Sequence, residues 1–303
     1  MKIIILGGGA MGSLLGSFLI TGDNDITILC RSHEHANEIN RKGLIIEALS
    51  REKIYKIRTS TDPCSIGYAD LILVMVKTYD TSNAIRTILK NIKPETMVLT
   101  LQNGIGNWEK IASIVGQEKV LAGVTAQGAT FIEPGRIRHG GVGPTHIGEL
   151  NQKISKRLEK LVLLFNSAGL ETYASDNIEK ILWQKLVINV GINAITALTG
   201  ILNGKIASVP EASAISLAAV SEAVDVAMAL GIKLEHDQGK KCLKVAEATQ
   251  NNRSSMGQDV DRHRKTEIDA INGAIIKLGN DMGIQTPVNQ TLYQLIKTVE
   301  NNF

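Results

Sequence analysis

The chain has 303 residues, 44% of them hydrophobic and 21% charged, with a formal net charge of +3 at pH 7. That is the composition of a water-soluble globular protein with room for two domains, each with its own core. A charge this small gives no reason to expect a nucleic acid or an anionic membrane as partner, and the 4% of aromatics are not interleaved with any basic tract.

The three cysteines, Cys30, Cys64 and Cys242, are scattered. They make no CxxC, zinc spacing or disulfide framework, which fits a reducing compartment. The N-terminus, a lysine followed by an apolar run, has the outline of a signal peptide. Gly7, Gly8 and Gly9 interrupt that run, and no uninterrupted apolar run reaches the ~18 residues that span a bilayer. A cytoplasmic protein without a membrane segment is the expectation.

Lys2 to Leu6 reads as a buried strand. The turn Gly7-Gly8-Gly9-Ala10-Met11-Gly12 follows, then a helix that stops at Thr21-Gly22-Asp23-Asn24, then a second strand from Asp25 to Cys30. This order gives GxGxxG its meaning. The first glycine allows a tight turn, the second lets backbone approach a pyrophosphate, and the third lets helix and strand pack closely. The helix N-terminus adds orphan N–H groups and a positive dipole end. The competing reading is a tight strand–helix turn with no ligand.

The second strand ends in Cys30-Arg31-Ser32, where an NAD site would place an acid for the ribose 2′-OH. Arginine and a hydroxyl suit a 2′-phosphate instead, hence NADP; the alternative is an ordinary surface arginine.

Gly43–Leu49 and Lys53–Asp62 read as strands of an antiparallel excursion. Ala69–Val76 is a buried strand with Lys77 at its C-terminal end, the edge at which open α/β sheets bind ligands. Lys77 is therefore placed to meet the cofactor, unless it is a plain strand-end lysine. A helix over 81–90 and a strand over 96–101 follow. Asn103 comes next and can hydrogen-bond a nicotinamide or a substrate, although Asn-Gly is also a common turn pair. Strand 119–124, a hairpin flanking Glu133-Pro134-Gly135, a helix over 151–168 and a short strand complete the sheet domain. His139 and His146 have no acid or cysteine at metal spacing and read as structural or exposed.

Beyond Asp176 the pattern is helical. Residues 178–199 form a helix apolar on most sides with one polar line, in which Lys185, Asn189 and Asn193 recur every fourth residue. Residues at that spacing nearly stack, drifting by about 40° per step. A lysine in such a setting is costly unless it is paired or lines a wet cavity; the competing reading is a lysine snorkelling to the surface. Further helices are expected over 210–230, 237–248, 251–278 with a continuous run through Lys265 and Glu267, and 288–300. A bound nicotinamide delivers hydride, so the acceptor carbonyl needs a proton donor. Burial lowers a lysine's pKa toward the working range, which makes Lys185 the best candidate.

The chain resembles the ketopantoate reductase family. The residues that carry the likeness are GGGAMG with Arg31, VMVKTYD around Lys77, LQNG at Asn103 and LWQKLVINVGINAITALTGILNG. NNRSSMGQDVDRHRKTEIDAINGAI and GIQTPVNQTLYQLIK add to it, so the likeness spans essentially the whole chain. It implies an α/β Rossmann-type dinucleotide-binding domain over 1–172, then an all-α domain over 173–303 like that of 6-phosphogluconate dehydrogenase. It implies NADPH-dependent reduction of ketopantoate to pantoate, on the route to pantothenate and coenzyme A. Lys185 would be the general acid and Glu267 would help position the site, near both Lys185 and the cofactor. Asn189, Asn193, Asn203, Ser255 and Asn252 would hold the substrate. Gly7 to Gly12, including Ala10 and Met11, would hold the cofactor phosphates with Arg31, while Lys77, Asn103 and Ala129 would touch the cofactor further in. A homodimer, if formed, would use the helical domain. The rivals are a reductase of another branched 2-keto acid, a β-hydroxyacid or 6-phosphogluconate type dehydrogenase, and a non-catalytic NADP-binding regulator.

Overall fold

The computed structural model of the chain describes residues 1–20, 23–48 and 51–303. The helix stop expected at Thr21 and Gly22, and the end of the strand expected at Leu49, lie outside the described residues. The chain forms two compact units. The first holds Met1–Gln102 and Asn107–Ile178, the second Asn103–Gly106 and Glu179–Phe303.

The first unit begins with β1 (Lys2–Leu6), α1 (Ala10–Leu19), β2 (Asp25–Leu29), α2 (His33–Lys42), β3 (Leu44–Ala48), β4 (Arg51–Tyr55) and β5 (Arg58–Ser60). It continues through β6 (Ala69–Val74), α3 (Thr81–Thr87), β7 (Ile92–Thr100), α4 (Asn107–Val115) and β8 (Val120–Thr125). It closes with β9 (Gly128–Glu133), β10 (Arg136–Gly141), β11 (Thr145–Glu149), α5 (Lys156–Ser167) and β12 (Thr172–Ser175).

Eight strands form the main sheet in the order β12-β11-β8-β7-β6-β1-β2-β5, parallel except between β8 and β11. The strands are β-branched and alternate cleanly across the sheet. Ile3, Ile5, Leu71, Leu73 and Leu99 pack on one face with Leu14 and Leu15 of α1 and Leu158, Leu161 and Phe165 of α5. Ile4, Leu6, Ile72, Val74 and Val98 pack on the other with Ile85 and Ile111. The chain leaves β1 for β2 on one side and later returns to β6 on the other, so the switch point lies between β1 and β6.

The excursion is a second sheet, β4-β3-β10-β9. The strand expected over 53–62 divides, with β4 in this small sheet and β5 back beside β2 in the main one. The helix expected from 151 starts at Lys156, where Ser155 accepts from the Leu158 N–H.

The second unit is all-helical among its described residues. It contains α6 (Ile178–Thr199, shared at its first residue with the other unit), α7 (Gly204–Ser208), α8 (Pro210–Ala229) and α9 (Gln238–Ala248). Then come α10 (Ser255–Asp261), α11 (Asn272–Met282) and α12 (Pro287–Glu300). Trp183, Leu186, Val187, Val190 and Ile195 of α6 are buried with Ala219, Val220, Ala223 and Val226 of α8 and Cys242 and Ala246 of α9.

The helix expected to run from 251 to 278 breaks in two. The Arg264 N–H bonds back to the Asp259 carbonyl, closing α10. The Thr266 N–H then donates to the Glu300 carboxylate, 2.7 Å away, instead of to a helical carbonyl. By length and composition α6 and α8 are each apolar enough to cross a membrane, although polar residues interrupt the apolar run of both.

Gly191 lies in α6 where a Cβ would meet Cys242 Sγ at 2.6 Å, Val220 Cγ2 at 2.8 Å and Ser216 Oγ at 2.9 Å. Alanine gains about 1 kcal/mol over glycine in a helix interior, whereas overpacking a tight core costs about 1–3 kcal/mol. Gly191→Ala is therefore expected to lower the melting temperature. A variant that melts above the parent would show that α8 and α9 can give way to α6 at no cost.

Candidate active site

The glycine turn sits at the C-terminal end of β1, in the switch-point crevice. Gly7 has φ +114°, and a Cβ there would lie 2.7 Å from the Val76 N, just past β6. At Gly8 a Cβ would strike Cys30 Sγ at 2.3 Å, and at Gly12 the Gly7 carbonyl at 1.9 Å. The fold itself thus requires three of the four glycines. Gly9 differs. Its φ of −72° and ψ of −171° suit any residue, and a Cβ there would meet nothing within 4 Å. Nothing in the chain demands glycine at this position, which leaves its backbone open to the close approach of a ligand. No side chain caps α1, which leaves the first-turn N–H groups, those of Ala10 and Met11 among them, to an anion. The turn fits a dinucleotide pyrophosphate.

Arg31 follows β2 with its side chain 88% exposed and ion-paired to Asp80 at 3.1 Å. Exposed pairs of this kind are worth about 0–1 kcal/mol, so a phosphate can take the guanidinium. Ser32 is the N-cap of α2, its oxygen accepting from the His35 N–H. Lys77 is half-buried past the end of β6. Buried Gln102, which the motifs did not single out, ties this edge together. Its Nε2 donates to the Val76 carbonyl at 2.7 Å and to Thr81 Oγ1 at 2.9 Å, and its Oε1 accepts from Thr100 at 2.9 Å. Ala129 lies in β9 opposite His139 of β10, half-buried.

In the helical unit the polar line is present on one continuous helix, α6. Lys185 is half-buried as a residue, but its ammonium is enclosed by protein. Desolvation lowers its pKa to about 8, with the Glu267 carboxylate pulling the other way. Further along the line, Asn189 Nδ2 and Asn193 Nδ2 are buried with no hydrogen-bond partner. An unsatisfied buried donor costs about 1–3 kcal/mol. Two such amide donors follow the desolvated ammonium along one face of α6, and both lack an acceptor.

Glu267 lies 7% exposed in the break between α10 and α11, just before a 3-10 turn over Ile268–Ala270. The break places it. The Thr266 hydroxyl donates to Glu300 and accepts from the Ile268 N–H, bracketing Glu267 on both sides.

Asn203 precedes α7. Its Nδ2 donates to Thr249 Oγ1 at 3.0 Å, whereas its buried Oδ1 has no partner. The Asn252 side chain is exposed and its carbonyl accepts from the Asn203 N–H. Ser255 is the exposed first residue of α10, after the N-cap Ser254. Asn103 groups with the helical unit, where the adjacent Gly104 lies so close to Ala270 that a Cβ would come within 2.4 Å of its carbonyl oxygen.

Along its whole length this chain is similar to known reductases. The family models described as "Ketopantoate reductase PanE/ApbA" and "Ketopantoate reductase PanE/ApbA C terminal" match residues 3–152 and 177–300. The 2-dehydropantoate 2-reductase of Pyrococcus horikoshii is 38% identical over 99% of this chain and 98% of its own. That of Halobacterium salinarum is 34% identical over 100% of both. The crystal structure of a ketopantoate reductase from Ralstonia eutropha JMP134 superposes with a TM-score of 0.92 at 31% identity, covering 100% of this chain and 99% of that one. A ternary structure of D-mandelate dehydrogenase with NADH and anilino(oxo)acetate gives a TM-score of 0.94 at 28% identity over 100% of this chain and 99% of that one. In sequence over both units and in fold, the chain belongs to the ketopantoate reductase family of oxidoreductases.

Proposed function

We propose that the protein is an NADPH-dependent 2-dehydropantoate 2-reductase of the cytoplasm, reducing the 2-keto group of ketopantoate to pantoate for coenzyme A synthesis. The observation that carries this reading is the α6 line, an enclosed ammonium at Lys185 followed by two buried amide donors without partners. Such a row suits a small molecule rich in acceptor oxygens, as a 2-keto acid is. The first unit is the NADP-binding domain and the helical unit carries catalysis.

Gly7 to Gly12 and Arg31 hold the phosphates of the dinucleotide, with Lys77, Asn103 and Ala129 further along it. When bound, the reduced nicotinamide supplies the hydride. Lys185 donates its proton to the keto oxygen as negative charge develops there and regains one from water. Glu267 opposes the desolvation of Lys185 and so keeps its proton available near neutrality. Asn189 and Asn193 donate to the substrate's oxygens, and Ser255 and Asn252 receive its carboxylate. The buried Oδ1 of Asn203 is an acceptor without a donor, and ketopantoate carries a hydroxyl that can supply one.

A second reading, an NADH-dependent reductase of another branched 2-keto acid, is favoured by the likeness to D-mandelate dehydrogenase with NADH. One dinucleotide-oxidation assay over a panel of 2-keto acids separates the two. The expected result is highest kcat/KM with ketopantoate and NADPH, and an NADPH preference that shrinks in Arg31→Ala. Preference for phenylglyoxylate, or equal use of NADH by the parent, would transfer the protein to the second reading.

Lys185→Ala is expected to lose about 10²- to 10⁴-fold, mainly in kcat, the usual contribution of a general acid. The donor must hold its proton, so kcat/KM of the parent should fall as pH rises through about 8. A profile flat to pH 10, or a Lys185→Ala variant turning over at the parent rate, would remove Lys185 from this role.

A further inference from the structure

We propose that His35 is a positioning residue for the dinucleotide turn. Through Ser13 it locks the Gly8 carbonyl and thereby aims the Gly9 amide at the cofactor's pyrophosphate. The proposal rests on the cofactor reading above.

His35 is on α2, 2% exposed, and both of its ring nitrogens are engaged. Nδ1 lies 2.9 Å from the backbone N of Gly135, in the turn between β9 and β10 and 100 residues along the chain. A backbone N–H can only donate, so Nδ1 is the acceptor and the neutral ring carries its proton on Nε2. Nε2 lies 3.3 Å from Ser13 Oγ, itself fully buried. The serine oxygen accepts that proton and turns its own toward the Gly8 carbonyl, 3.3 Å away. The directions are forced, because the Gly8 oxygen has nothing to donate. The relay therefore runs from Gly135 N–H to His35, from His35 to Ser13, and from Ser13 to Gly8. Burial lowers the pKa of His35, with the Gly8 carbonyl opposing, and this favours the neutral ring that the relay needs.

The consequence follows from peptide geometry. The chain has no cis peptide bond among its described residues, and in a trans peptide the C=O and the next N–H point in opposite directions. Holding the Gly8 carbonyl inward, toward Ser13, turns the Gly9 N–H outward. Gly9 is exposed and has open space where a side chain would begin. The same lock stops the turn, whose three consecutive glycines add backbone freedom, from flipping that peptide. The hairpin turn at Gly135 thus holds a histidine that holds the phosphate loop.

The test measures the dissociation constants of NADPH and NADH, by nicotinamide fluorescence, on the full-length parent, Ser13→Ala, His35→Gln and the double variant, with melting curves for each. Ser13→Ala is expected to weaken both dinucleotides by the same factor, about two- to tenfold, the worth of one net hydrogen bond. The double variant should lose no more than the weaker-binding single, because the relay is already cut. Unchanged affinities with a lowered melting temperature would make the relay merely structural and overturn the proposal, as would losses that multiply in the double variant. Ser13→Ala removes one buried oxygen and decides the matter alone if His35→Gln does not fold. A parent that binds neither dinucleotide would instead overturn the cofactor reading, and the relay with it.

Discussion

The site depends on one electrostatic balance, that of the Lys185 ammonium. Enclosure by an apolar helical unit disfavours its charge, and the Glu267 carboxylate favours it. Neither influence alone gives a useful proton donor. Desolvation without an acid nearby would lower the amine's pKa further, and a fully solvated lysine would hold its proton more firmly. The balance depends in turn on the C-terminal helix. Glu300, at the end of α12, takes the Thr266 N–H and hydroxyl and so anchors the non-helical stretch in which Glu267 stands. Lys297 of the same helix completes the Glu300 carboxylate at 2.7 Å. A residue at the far end of the sequence therefore governs where the charge that tunes Lys185 is held.

Packing and function can be told apart among residues of one type. Asn289 is as deeply buried as Asn193, yet its amide donates to the Ala219 carbonyl and to Glu222 while its oxygen accepts from Asn272. This is an asparagine that the fold uses. Asn189 and Asn193 keep donors with no such partner. The same contrast runs through the glycine turn, where Gly7, Gly8 and Gly12 are held by contacts within the unit and Gly9 is not. In each case internal packing leaves one residue unexplained, and it is the one the proposed function gives to a ligand.

What was legible in the sequence had short-range causes. The β-branched runs became the central strands because each needs only its own alternation to bury both faces of a parallel sheet. The four-residue spacing of Lys185, Asn189 and Asn193 needed only a helix. What was not legible had long-range causes. The run through Lys265 to Leu278 has helical composition, yet α10 ends at Asp261 and the Thr266 N–H goes to Glu300, from the other end of the sequence, instead of to a helical carbonyl. α2 has a mean composition too polar to stand out, yet its N-cap at Ser32 and the two bonds of His35 fix it. Arg31 could be read as a phosphate ligand, but its pairing with Asp80 could not, since the two meet only when β2 and β6 are joined through β1.

The apolar character of α6 has the same origin as its chemistry. A helix of 22 residues as apolar as this one has the length and composition of a membrane span. To lower the pKa of Lys185 by desolvation, the helix must be apolar nearly all round, and to present three donors in line it must run unbroken for at least two turns. Those two requirements produce a long hydrophobic helix with a thin polar stripe. In a bilayer the orphaned amides of Asn189 and Asn193 would face hydrocarbon, where an unsatisfied polar group costs several kcal/mol. In this fold the apolar sides of α6 are covered by α8 and α9, and the two asparagine amides are left with donors that nothing in the fold takes up. Hydropathy measures the surroundings that the lysine requires, and the stripe tells which kind of surroundings they are.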